Sequence, residues 1–468
     1  MTAQSYDYDL LVIGSGPAGQ TGALGASKLR KRVAIVDRKW PAGKSSFANG
    51  TIASKTLREA VLNGLRQRTF PSCTAKQDGT ISMADLNSRV EAVIRGETEL
   101  IKSQLDHHHV ARIEGEATFV DAHTVKVSAG QGSRLVTAEN FLIAVGTRPA
   151  SNNHVPLDGE HIYNSDQFLS LRSLPHDLII VGAGLVGIEY ASLLAALGVK
   201  VTLIDQRPEL LSFVDREIVD NFTSHLAQLG VSFRLGQEVV ECGIGSDHRV
   251  FAKLAKGETI HGESLLYTIG RQGNTDQLNL AAVGLKSAES GKLVVDEQFR
   301  TSVPNIYGAG DVIGFPIEGL YYGSISMEQG RLASCNIFGF PAVSRPHLFP
   351  YALYGIPEIS MVGQSEQDLI ARTPYEVGIA RYGDLTKAQI LGAKQGFLKL
   401  LFHADSLKVL GVHIIGEGAA EIVHIGQTAI SFGATIEYFR DAVFNHPTLA
   451  EAYQLAALDG LRKVGMEL

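Results

Sequence analysis

The chain has 468 residues, 45% of them hydrophobic and 19% charged, and its 42 Lys and Arg against 49 Asp and Glu leave a formal net charge of −7. That length suggests about three domains, and the apolar share supports a large core and excludes a disordered chain. No basic block occurs, which argues against nucleic acid as a partner, and no apolar run is long enough to span a bilayer, so no membrane association is expected.

The start, MTAQSYDYDLLVIG, lacks a positive region followed by an apolar run and a cleavage site. The expected location is the cytoplasm. Residues 9–38 open with DLLVIG, an apolar run that reads as a buried parallel strand. Gly14-x-Gly16-x-x-Gly19 follows, then a small-residue helix and a second strand, VAIVD, ending at Asp37. Trp40, on the loop just beyond, either covers an adenine or holds the loop. His107, His108 and His109 are consecutive, so their rings diverge on a helix. They read as a solvated helix end, and no metal site is expected.

NFLIAVGTRP, residues 140–149, reads as a strand running into a glycine turn at Gly146. Residues 177–207 then repeat the opening plan, with Gly182, Gly184 and Gly187 leading to Asp205 at the end of VTLID. In both copies the acid lies 23 residues after the first glycine. VPNIYGAGDVIGFP, residues 303–316, is a further buried strand with a Gly-rich turn and Asp311. Cys73, Cys242 and Cys335 are far apart and without metal-ligand spacing, and read as small, partly buried apolar residues.

Each position in the repeated motif has a physical task. The first glycine permits the tight turn, the second lets a pyrophosphate approach the backbone, and the third lets the helix lie against the strand. The helix N-terminus offers free N–H groups and a favourable dipole to the diphosphate. The acid accepts hydrogen bonds from ribose hydroxyls. Two copies point to two bound dinucleotides.

On these motifs the chain resembles the pyridine nucleotide–disulfide oxidoreductase family over nearly its whole length. The resemblance implies an α/β, glutathione reductase-like fold: two Rossmann-like dinucleotide-binding domains and a C-terminal α+β dimerisation domain. It implies an FAD-binding domain of residues 1–150 and 276–346, an NAD(P)-binding domain of 151–275, and an interface domain of 347–468 that makes a homodimer. FAD would be held through Gly14, Gly16, Gly19, Asp37, Gly146 and Asp311. NAD(H) or NADP(H) would be held through Gly182, Gly184, Gly187, Asp205, Arg207 and Gly270. Lys55 and Glu189 fall where the family pairs a lysine and a glutamate beside the flavin N5. A cation there stabilises negative charge on reduced flavin, and the acid keeps it charged and aimed.

Aligned on Gly50 and Ser54-Lys55, the two redox cysteines of the family fall on Ser46 and Thr51. A hydroxyl has far too high a pKa to act as a thiolate and cannot carry out thiol–disulfide exchange. Reduction of glutathione, lipoamide or mercury by the sulfur route is therefore excluded, while hydride exchange at the flavin remains. His446 and Glu451 match a pair that the family uses, from the partner subunit, to move protons at the thiols. Without thiols they read as a structural remnant or as groups acting on another acceptor.

The stretches GTIASKTLREAV, GRQGNTDQL, PYEVGIARY and GEGAAEIVHIGQ resemble the soluble pyridine nucleotide transhydrogenase branch. That implies FAD-mediated hydride transfer between NADPH and NAD+ at one nicotinamide site by a ping-pong route. The chain departs from that branch at Ser46, where a cysteine is usual, and at His446, where a tyrosine is. Asp205 favours NAD(H), because an acid there bonds a 2′-hydroxyl and repels a 2′-phosphate. Arg207 either offsets this by pairing with the phosphate or is an exposed arginine with no cofactor role, and Arg271 either helps it or serves a turn. One rival reading is an NADH-dependent flavin reductase, or diaphorase, passing electrons to a quinone or other small acceptor. The other is a redox-sensing scaffold, against which the Lys55 and Glu189 positions argue.

Overall fold

The computed structural model describes residues 5–38, 48–69, 83–150, 155–169, 171, 173–313, 323–342, 344 and 348–466. Ser46, Trp40 and Cys73 lie outside them. Three of the five sheets among the described residues organise the chain. In the first, Tyr8–Ile13 is flanked by parallel neighbours Val33–Asp37 and Gly132–Ile143, with Ala111–Glu114 beyond. Leu10, Leu11 and Val12 are fully buried, as a strand covered on both faces requires. The long strand Gly132–Ile143 serves two pairings. Its first half pairs antiparallel with Thr124–Ala129, and its second half pairs parallel with Tyr8–Ile13. Ile306–Gly308 returns from far along the chain to lie parallel beside that second half.

The second sheet is parallel throughout, in the order Ser232–Leu235, Lys200–Asp205, Asp177–Val181, Ser264–Tyr267, Ile162–Asn164. A small antiparallel ladder joins the connections between the first two sheets, pairing Thr147–Pro149 with Arg271–Gly273. Arg271 strengthens this crossing: its Nε donates to Thr147 Oγ1 at 2.7 Å and a terminal nitrogen donates to the Thr147 carbonyl at 2.9 Å. The third sheet is antiparallel, in the order Tyr351–Leu353, Ile359–Gly363, Val409–Ile415, Phe397–His403, Tyr375–Arg381. The helices Ala419–Ser431 and Glu451–Lys463 pack on it around the fully buried Tyr453, whose hydroxyl donates to the Ile422 carbonyl at 2.8 Å. No helix among the described residues is long and apolar enough to cross a membrane.

Candidate active site

The two glycine motifs adopt the same geometry. Gly14 and Gly182 have φ of +105° and +103°, a conformation that an L side chain rarely adopts, and their N–H groups donate to Val36 and Ile204 carbonyls at 2.8 Å in both copies. A side chain on Gly19 or Gly187 would place Cβ 1.9 Å from the Gly14 or Gly182 carbonyl oxygen. Gly16 and Gly184, which cap the helices Pro17–Lys28 and Leu185–Ala196, have nothing within 4 Å of a built Cβ. The open positions are therefore the middle glycines, each on the cleft wall at a helix N-terminus, which fits a diphosphate.

Both loops face one cleft of about 1130 Å³. Gly14, Gly16, Asp37, Gly146 and Asp311 line one part, Gly182, Gly184, Asp205, Arg207 and Gly270 another, and Thr51, Lys55 and Glu189 also line it. It lies at the carboxyl ends of the strands Tyr8–Ile13 and Asp177–Val181, where open α/β sheets bind ligands. Gly19 and Gly187 sit behind the wall as packing residues. Asp37 braces the first loop by accepting from the Ser15 N–H at 2.8 Å. Burial pushes the Asp311 carboxyl above its ordinary range, against the charge of Arg271 and a hydrogen bond from Ser326 at 3.1 Å.

Lys55 and Glu189, 134 residues apart in sequence, meet with Nζ 2.7 Å from Oε2. Lys55 lies in the first turn of the helix Ala53–Thr69, and Glu189 near the start of Leu185–Ala196. The other Glu189 oxygen accepts from the Tyr354 N–H at 3.0 Å, and the Tyr354 ring centroid is 4.9 Å from the lysine nitrogen. Tyr354 is the residue that motif reading missed. Its stretch, YGIPEISMVG, reads locally as an interface strand, and no spacing in the sequence links it to Lys55 or Glu189.

Asp205 lines the cleft with its carboxylate already engaged within the chain. Its carboxylate accepts from the Ala183 N–H at 2.6 Å, the Arg207 N–H at 2.8 Å, and the Arg207 guanidinium at 2.9 and 2.7 Å. Burial opposes its charge, but the Arg207 and Ala183 hydrogen bonds outweigh burial and hold the carboxyl below its usual range. Arg207 is 58% exposed and covers an acid that is 7% exposed. The chain thus neutralises its own acid and presents a cation at the rim. Arg207→Ala is expected to raise KM for NADPH about tenfold, one bidentate phosphate contact's worth, with KM for NADH nearly unchanged. Asp205→Ala should raise the NADPH:NADH ratio of kcat/KM. Initial-rate assays with each nucleotide check both, and an unchanged ratio in both variants would remove these residues from nucleotide choice.

Residues 8–335 match the family model for pyridine nucleotide-disulphide oxidoreductases, and residues 349–457 match the dimerisation domain of the same family. The chain belongs to the pyridine nucleotide-disulphide oxidoreductases. It is 46% identical over 463 residues to proteins named soluble pyridine nucleotide transhydrogenase from Mycobacterium bovis and Mycobacterium tuberculosis, covering 98% of either chain. It is 40% identical to one of that name from Colwellia psychrerythraea, over 98% of this chain and 99% of the relative. Among solved structures it is similar to LpdA from Mycobacterium tuberculosis, with TM-score 0.87, 24% identity, and coverage of 96% of this chain and 98% of that one. It is also similar to RclA from Escherichia coli, a flavoprotein disulfide reductase induced by HOCl, with TM-score 0.85, 25% identity and coverage of 96% and 99%.

Within this pyridine nucleotide-disulphide oxidoreductase, no cysteine lines the cleft among the described residues. Thr51 lines it from the short π-helical segment Ala48–Ile52. Cys242 is buried in the second unit, and burial pushes its thiol up to about 11, which makes it inert. Cys335 is partly buried on the helix Gly323–Ile337. His446 Nδ1 lies 2.8 Å from a Glu451 oxygen whose partner oxygen accepts the Thr448 N–H at 2.8 Å. The His446 side chain is 64% exposed, and neither residue of the pair lines the cleft.

Among the described residues, one group of acids has metal-ligand spacing: Asp215, Glu217 and Glu366. The ammonium of Lys399 sits among them, 3.0 Å from Asp215 and 3.0 Å from Glu217, and also bonded to Glu366.

Proposed function

We propose that this chain is an FAD-dependent transhydrogenase, moving hydride between NADPH and NAD+ without a redox disulfide. The observation that carries this reading is the Lys55–Glu189 pair in a double-nucleotide cleft whose described lining holds a hydroxyl, Thr51, and no thiol. The transhydrogenase names of full-length relatives support it. Gly14, Gly16, Asp37, Gly146 and Asp311 would hold FAD in the unit of residues 1–150 and 276–346, with Gly19 packing the loop from behind. Gly182, Gly184, Asp205, Arg207 and Gly270 would hold either nicotinamide nucleotide in the unit of 151–275, with Gly187 packing the second loop in the same way.

Bound by the first glycine loop, FAD would supply reversible hydride exchange between the two nucleotides, so the net reaction would move one hydride from NADPH to NAD+ and consume no proton. The chain's own residues supply binding and field. The two helix N-termini hold diphosphates, Lys55 places positive charge where negative charge arrives, and Glu189 keeps that charge oriented. Arg207 accepts a 2′-phosphate or stays folded on Asp205 when a 2′-hydroxyl is present. One site can then take both nucleotides in turn.

The segment 347–468 would form the interface of a cytoplasmic homodimer. The match to a dimerisation domain supports this, as do Val443, 97% exposed, and Phe432, 86% exposed, on the C-terminal domain that carries His446. The purified protein should be yellow, lose its flavin absorbance under NADPH without oxygen, and regain it on adding NAD+. Bleaching by NADH alone, with recovery on a quinone and none on NAD+ or NADP+, would favour the flavin reductase instead.

A further inference from the structure

We propose that Tyr354 is a positioning residue for hydride transfer, its N–H fixing Glu189 and its ring face holding the Lys55 ammonium toward the cleft. The inference rests on reading Lys55 as the cation at the point of transfer. Three parts of the chain meet there. Lys55 comes from the helix Ala53–Thr69, Glu189 from the helix of the second glycine motif, and Tyr354 from the loop after Tyr351–Leu353 in the C-terminal sheet.

An ammonium has three donors and turns freely on a flexible stem, so a single carboxylate 2.7 Å away fixes its distance but not its direction. Among the described residues, the other contacts of Lys55 are a long one to Ser54 Oγ at 3.4 Å and the Tyr354 ring at 4.9 Å. A second carboxylate would also aim the lysine but would cancel its charge. An aromatic face attracts the cation through its quadrupole and leaves the net charge intact. Burial pushes the Tyr354 phenol above its ordinary value, so the ring stays neutral across physiological pH.

The loop that carries the ring is itself clamped. Arg58, one turn beyond Lys55 and only 5% exposed, donates its Nε to the Gly355 carbonyl at 2.9 Å and a terminal nitrogen to Glu358 at 3.0 Å. Ser192, one turn beyond Glu189, accepts the Ile356 N–H at 3.1 Å. The helices bearing the two members of the ion pair thus each grip the loop that orients it. Positioning of this kind needs a rigid surrounding shell.

Tyr354→Leu keeps the backbone N–H and removes only the ring. In the FAD-loaded protein it is expected to slow flavin reduction by NADPH about tenfold and to lower the flavin midpoint potential, whereas Tyr354→Phe retains most of both. In a Lys55→Met background, Tyr354→Leu should add less than about a twofold effect, because the ring acts through the lysine. An equal slowing in that background overturns the proposal, as does an unchanged rate and potential in Tyr354→Leu while Lys55→Met alone is slow. If Lys55→Met itself reduces at the parent rate, the underlying reading of Lys55 fails and this one with it. Should Tyr354→Leu not retain FAD, Tyr354→Met takes its place, with the same loss expected against Tyr354→Phe.

Discussion

Lys55→Met is expected to slow flavin reduction by NADPH about a hundredfold while FAD stays bound and KM for NADPH changes little. Methionine keeps the length and apolar stem of lysine and removes the charge alone. Losing one preorganised electrostatic donor at a reacting centre typically costs about 10²–10³ in rate. The Lys55 and Glu189 side chains are 27% and 16% exposed, so partial solvent screening favours the lower end. Glu189→Gln should cost less, about tenfold, because the amide oxygen can still accept from Tyr354 while the lysine loses its counter-charge. Stopped-flow measurement separates binding from the transfer step. A rise in KM with an unchanged limiting rate would make Lys55 a binding residue only.

The second large effect concerns stability. Lys399→Met is expected to destabilise the fold by about 3 kcal/mol, the lower end for breaking a buried ion pair. Lys399 and Asp215 are essentially without solvent contact, while Glu366 and Glu217 are partly exposed. Asp215 caps the helix Arg216–Gln228 beside the second sheet, and Lys399 lies in the strand Phe397–His403 of the third, so the contact joins two units. Without the ammonium, three carboxylates face one another.

The pH dependence follows from the sign of each shift. Burial alone would lower the Lys399 value, but Glu366, Asp215 and Glu217 raise it above the ordinary lysine range. Its contribution is therefore complete at neutral pH and is lost only as pH rises through that elevated value. Burial would raise Asp215, but Lys399, and His413 when protonated, hold it below the ordinary carboxylate range. Its contribution is present above about pH 4 and is lost as pH falls through its depressed value. The gap in thermal midpoint between Lys399→Met and the parent should be about 3 °C near neutrality for a chain of this length and should narrow in acid. A pH-independent gap would mean that lost packing, rather than charge, is responsible.

The parts legible in the sequence are those written into local spacing. Gly14 to Asp37 and Gly182 to Asp205 lie within single strand–turn–helix–strand units, so periodicity and glycine placement suffice to mark them. Glu189 is marked by standing two residues past Gly187, whereas Lys55 is legible only through the resemblance of its stretch, GTIASK, to the family. Other contacts join residues far apart with no pattern linking them. Tyr354 is 165 residues from Glu189, Arg58 is 297 from Gly355, and Lys399 is 184 from Asp215. Asp205 shows a different limit. Its position at the strand end was evident, but its saturation by Arg207 and Ala183 depends on how the chain turns after the strand.

Transhydrogenation itself is tested most directly by initial rates of thio-NAD+ reduction with NADPH as the donor, both concentrations varied and oxygen excluded. Efficient turnover and parallel double-reciprocal lines are expected, because a single cleft serves each nucleotide in turn. Flavin that NADPH reduces but thio-NAD+ cannot reoxidise would contradict it.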